Sequence, residues 1–107
     1  MIRAAEFERV KKEGRSVHGR LMLLGVLKGQ GEERARVGIV TSRKVGSAVV
    51  RNGVRRRIRE IVRQSRPKMI AGVWMVIIAK SAGGRAVYAQ LRDEWTQLAR
   101  KAGCLEE

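Results

Sequence analysis

The sequence predicts an α+β fold: a single domain in which one small mixed sheet packs against amphipathic helices. Three observations carry that prediction. Residues 72–79 (GVWMVIIA) are almost wholly apolar, the composition of an interior strand covered on both faces. Strand, helix and strand signals succeed one another across residues 35–80, the pattern of a βαβ crossover. Residues 47–66 and 86–102 have apolar side chains at helical spacing and are long enough to cover a sheet.

Each element has its own signature. Residues 4–13 (AAEFERVKKE) form a short helix with Phe7 and Val10 on one face, and Gly14 follows as its C′ residue. Residues 20–28 (RLMLLGVLK) and 35–42 (ARVGIVTS) read as strands, and GQGEE between them reads as a hairpin loop. A further short strand fits near residues 16–20. The long helix of 47–66 is stopped by Pro67. The closing helix places Leu91, Trp95 and Leu98 at helical spacing, with Gly103 as its stop. The predicted order is α-β-β-α-β-α, with room for the extra strand.

Charge is the dominant compositional feature. The 107 residues carry 24 Lys and Arg against 10 Asp and Glu, a formal net charge of +14. Such an excess repels itself beyond what solubility needs and calls for a polyanionic partner. Most of it is arginine, whose planar fork matches phosphates and guanine edges and stacks on bases. No apolar run approaches the roughly 20 residues of a membrane span. The N-terminus lacks an apolar signal core, and the single cysteine, Cys104, cannot form an internal disulfide; a cytoplasmic location is expected. Cys104 reads as a bystander thiol and His18, without acidic or thiol company, as no metal ligand. No Ser-His-Asp, Cys-His or paired-carboxylate constellation stands out, so the protein offers no catalytic candidates.

The segment from Arg43 to Arg66 holds nine basic residues and one acid, Glu60. On a wheel of about 100° per residue, Val50, Val54, Ile58, Ile61 and Ser65 cluster within about 40° of Val54, with Val62 at the border. Asn52, Arg55, Arg56, Arg59, Arg63 and Arg66 fall between about 100° and 200° on the same wheel. Arg57 sits apart, flanked by Glu60 and Gln64. Like charges at i, i+4 cost roughly 0.2–0.5 kcal/mol per pair, and a solvated helix face ordinarily mixes signs. A row of phosphates would relieve this repulsion and release counterions. Gly46 permits a tight turn, Ser47 is a good N-cap, and Arg43 and Lys44 beside that helix start suit an anion.

The run TSRKVGSAVVRNGVRRRIREIVR resembles the signature of the bacterial ribonuclease P protein subunit, approximately [ST]-x-[KR]-[KR]-[VI]-G-[NS]-A-V-x-R-N-R-x-[KR]-R-x-[IL]-R. Arg43, Lys44, Val45, Gly46, Ser47, Ala48, Val49, Arg51, Asn52, Arg55, Arg56, Ile58 and Arg59 match it. The likeness extends over about residues 5–103. It implies an α-β sandwich with a left-handed crossover, a handedness opposite to the general rule for such units. It also implies a subunit that assists a catalytic RNA in removing the 5′ leader of precursor tRNA, with Mg2+ held mainly by the RNA. RNA contact is then expected from Arg43, Lys44, Arg51, Asn52, Arg55, Arg56, Arg59 and Arg63. Leader contact is expected from Phe7 and Lys11, in a cleft between the first helix and the sheet. The expected partners are the RNA subunit and precursor tRNA, without a membrane or an obligate protein partner.

Two departures from the family's pattern matter, the first at Gly53 and Arg57 and the second at Lys11. Gly53 replaces the second arginine of Arg-Asn-Arg, while Arg57 adds charge on a neighbouring flank. Lys11 stands where the family has a second aromatic residue, so leader binding leans on Phe7 and on charge. A ribosome-associated or general RNA-binding protein using the same helix and sheet is the alternative. A DNA-binding reading lacks a helix-turn-helix pair, and a stand-alone nuclease lacks catalytic residues.

Overall fold

The computed structural model describes residues 2–31 and 34–106. Its elements run α1 (Ala4–Glu13), β1 (Arg15–His18), β2 (Met22–Leu27), β3 (Arg36–Thr41), α2 (Ala48–Ser65), β4 (Trp74–Ala79) and α3 (Tyr88–Lys101). The extra strand of the prediction is β1. The four strands form one mixed sheet in the order β1-β2-β4-β3, with β3 parallel to β4 and the other pairs antiparallel. The parallel pair is joined through α2, which makes β3-α2-β4 the expected crossover unit.

One expectation fails. β2 and β3 do not form a hairpin, because β4 lies between them. The apolar β4 can satisfy both of its edges only at an interior position, so it displaces the sequence neighbours from each other. The chain after β2 then spans two strand spacings, roughly 10 Å, instead of one. It crosses the start of β4, where the Gln30 amide donates to the Gly72 carbonyl at 2.9 Å. Glu32 and Glu33 of the proposed loop lie outside the described residues. The tight hairpin is instead β1–β2, closed by the Gly19 amide donating to the Met22 carbonyl at 2.8 Å.

Strand alternation sorts the sheet into two faces. Register sets Leu24 opposite Ile77 and Val26 opposite Met75, with Val37 beside Met75. These side chains meet Val54, Ile58, Ile61 and Val62 of α2 and Leu91, Trp95, Leu98 and Ala99 of α3 in one buried cluster. Cys104 is also fully buried there, where desolvation pushes its thiol pKa up; it is a core residue rather than a bystander. Glu94 of α3 locks the β1–β2 turn: its carboxylate accepts from the backbone amides of Arg20, Leu21 and Met22 at 2.9, 2.7 and 3.0 Å.

The second face carries α1. It is seated on glycines: a Cβ at Gly38 would run into Ile2, and one at Gly25 would sit 3.3 Å from Val10. The Arg9 guanidinium lies 5.2 Å from the Trp74 ring centroid, and Glu6 pairs with Arg36. Trp95 is thus core, whereas Trp74 belongs to the α1 face. Gly14 is not a left-handed C′ residue, since its φ is −86°. A side chain there would meet the Val10 and Val26 carbonyl oxygens. Gly103 does end α3 in the left-handed region, with φ of 73°.

Candidate nucleic-acid interface

The basic helix is positioned by the turn before it. Residues Arg43–Val45 make one 3-10 turn, and Gly46 follows at φ of 148°, a conformation that L side chains rarely adopt. Ser47 then caps α2, its side chain accepting from the Val50 amide at 3.3 Å. Val45 is buried against the segment before α3, while Arg43 and Lys44 stay exposed at the mouth of the turn.

Within α2 the stripe points inward as the wheel requires: Val54 and Ile58 are fully buried. The arginine row, however, divides into two groups. Those on the β3 flank are half-buried, and two of them are held by the protein. Arg55 is half-buried and its Nη2 donates to Thr41 Oγ1 at 2.7 Å. Arg66 donates to the Ala35 carbonyl. Arg51 is half-buried, with Nε out of solvent and unpartnered. The outward group is free: Asn52, Arg56 and Arg59 are exposed, with no side-chain partner among the described residues. Arg63 is the exception on that side. Its Nε donates to Glu60 Oε2 at 2.8 Å, and Gln64 also donates to Glu60. These bonds lower the Glu60 pKa from 4.5 to about 2 and raise that of Arg63.

Between the two elements runs a groove of about 570 Å³. Val37, Ile39 and Val62 form its floor, and Arg55, Arg59, Arg63 and Arg66 its basic wall. β3 is an edge strand, so the groove is open along the side of the sheet. An apolar floor under guanidinium forks suits sugar and base surfaces with phosphates above them. Sequence periodicity located the wall but missed Thr41 and Arg66 as the residues that stiffen it; only the i, i+3 spacing of Glu60 and Arg63 was readable in advance.

The two proposed leader residues lie on the other face of the sheet. Phe7 is half-buried and Lys11 exposed, one turn apart on α1. Glu6 and Arg9 fix the opposite flank of α1 over Arg36 and Trp74, at the start of β3 and β4. Helical geometry therefore turns Phe7 and Lys11 towards the sheet's other half, where Leu23, Val40 and Ile78 are half-buried. That half borders the C-terminal end of β3, which leads into Arg43 and Lys44. The basic turn thus stands where the two surfaces meet.

Among the described residues no group of three His, Cys, Asp or Glu could hold a metal ion, and no helix is long and apolar enough to cross a membrane. A mixed sheet with an arginine-walled groove on one side and a half-open apolar face on the other defines an α+β protein built to hold a polyanion. Comparison with known proteins narrows that class. The family model described as Ribonuclease P matches residues 1–103. The ribonuclease P protein component of Symbiobacterium thermophilum is 40% identical over 100 residues, covering 94% of this chain and 87% of that one. That of Halalkalibacterium halodurans is 34% identical over 104 residues, covering 97% and 87%. The solved Staphylococcus aureus RNase P protein superposes with a TM-score of 0.89 at 25% identity, covering 99% of this chain and 96% of that one. The chain belongs to the ribonuclease P protein family, as the protein subunit of that tRNA-processing ribonuclease.

Proposed function

We propose that the chain acts as one RNA-binding domain that grips the catalytic RNA of ribonuclease P with α2 and its preceding turn, and the 5′ leader of precursor tRNA with the Phe7–Lys11 side of α1. The observation that carries this reading is the one-sided arginine row, in which, among the described residues, a single acid, Glu60, pairs with a single arginine. Arg43, Lys44, Asn52, Arg56 and Arg59 supply free donors to phosphates. Arg51, Arg55 and Arg63 border the same surface, and Arg55 is pre-oriented by Thr41. Held forks lose less freedom on binding than free ones. On the other face Phe7 offers a ring for base stacking and Lys11 a charge for the adjacent phosphate. In this reading the RNA performs the cleavage in the cytoplasm, with Mg2+ held mainly by the RNA.

The test is reconstitution. Cleavage of precursor tRNA at low Mg2+ is measured with the RNA subunit alone, the protein alone and both together. Activity confined to the mixture, or far greater there, is expected. Cleavage by the protein alone would overturn the division of labour. Phe7→Ala should weaken binding of substrates with a long leader by roughly 1–3 kcal/mol, the range for one stacked base, and leave leaderless tRNA unaffected. Equal loss for both would return Phe7 to a purely structural role.

A further inference from the structure

The flank of α2 away from β3 holds a feature that the arginine row does not absorb. Gly53 stands inside the helix, where glycine costs up to about 1 kcal/mol relative to alanine. Its backbone is not in the positive-φ region, so conformation does not demand it. What fills the space of its missing side chain is the head of Arg57. A Cβ at Gly53 would lie 3.1 Å from Arg57 Nη1 and 3.9 Å from Cζ and Nη2, its three nearest neighbours. Helical side chains lean towards the N-terminus, so a long residue covers the position four before it. Here that position is bare, and the guanidinium settles onto backbone.

The seat holds Arg57 without neutralising it. Its Nε is out of solvent and has no hydrogen-bond partner, and no acid pairs with it among the described residues. Glu60 is one turn away on the same flank, yet it is committed to Arg63 and Gln64. Around the seat, Arg56 is three residues on from Gly53, and Val49, four residues back, is 81% exposed. Nothing among the described residues covers Val49 on this flank.

We propose that Gly53 and Arg57 form one RNA-binding unit: the absent side chain at 53 lets the Arg57 fork occupy its place, one turn nearer the start of α2, beside Asn52 and Arg56. The RNA subunit is then gripped on two flanks of the first half of the helix. This rests on the assignment of α2 to RNA, and the experiment separates the two. Arg57→Met keeps the stem and removes the charge. It should weaken binding to the ribonuclease P RNA subunit about three- to tenfold and flatten the slope of log affinity against log salt by up to about one unit, with an unchanged melting temperature. Adding Gly53→Arg to Arg57→Met should restore most of the loss, whereas Gly53→Arg alone should gain less than about twofold, because the seat is already filled. Unchanged affinity and slope in Arg57→Met would overturn the proposal, as would a loss with unchanged slope that Gly53→Arg does not restore. Arg59→Ala run alongside identifies what has failed. If it loses affinity while Arg57→Met does not, only the Gly53–Arg57 unit falls; if neither loses affinity, the assignment of α2 to RNA falls as well.

Discussion

The two long faces of α2 are built from the same eighteen residues and serve opposite ends. The inner stripe of Val54, Ile58 and Ile61 is buried to completion and ties the helix to sheet and α3. The outward group works against folding, since Arg59 stands four residues from both Arg55 and Arg63 and like charges at that spacing repel. One face makes the domain and the other spends some of that stability on a row of like charge. A helix can carry such a row only because burial of the stripe outweighs the repulsion. Losing a single buried Ile costs more than several like-charge pairs.

The stripe gives the largest effect. Ile58→Ala should destabilise the protein by about 2–5 kcal/mol in urea or thermal denaturation, with RNA affinity preserved wherever the variant remains folded. Stability within about 0.5 kcal/mol of the parent would mean that α2 is held mainly by something other than its stripe. The outward row comes next. Arg59→Ala should cost about tenfold in RNA-subunit affinity, about 1.4 kcal/mol, and flatten the salt slope by up to about one unit. Its folding stability should stay level or rise by a few tenths of a kcal/mol as repulsion with Arg55 and Arg63 is relieved. A stability loss equal to the affinity loss would erase the contrast between the faces.

Arg55 sharpens the contrast because it stands on the border. Its side chain donates to Thr41, so Arg55→Ala should lose affinity and also about 0.5–1.5 kcal/mol of stability. Thr41→Val isolates the second term: stability should drop and the salt slope should not, since no charge is removed. A changed slope would show that the hydroxyl, and not only the guanidinium, faces RNA.

This border explains what the sequence made legible and what it did not. Periodicity reports which side of a helix goes inward, and it found the stripe, the row and the cap at Ser47. It is blind to what lies beside the rim of the row. Whether Arg55 and Arg66 are free depends on Thr41 at the end of β3 and Ala35 just before its start, both distant in sequence. The sheet order escaped for the same reason. The apolar run at 72–79 marked an interior strand, but nothing local to β2 and β3 said that it would come between them. Gly14 shows the limit at one residue: a glycine after a helix reads as a left-handed stop, while the demand here comes from the Val26 carbonyl of a neighbouring strand. The crossover's handedness is likewise absent from spacing and came only with the family resemblance.

The smallest effect concerns Arg63, the arginine of the row that an acid pairs with among the described residues. Glu60 is exposed enough that its pair with Arg63 adds little to stability, but it withdraws one charge from the proposed RNA face. Glu60→Gln should therefore raise RNA affinity about two- to threefold and steepen the salt slope by less than one unit. The pH dependence has a definite sign. A carboxylate lowered from 4.5 to about 2 contributes fully above 4.5, and its contribution fades as pH falls towards 2. Through neutral and mildly acidic pH, Glu60 therefore stays ionised and Arg63 stays masked. RNA affinity between about pH 7 and pH 4 should show no inflection that Glu60→Gln removes. An inflection near pH 4.5, present in the parent and absent in Glu60→Gln, would mean that the pair is open in solution and that Arg63 belongs with Arg56 and Arg59 among the free donors.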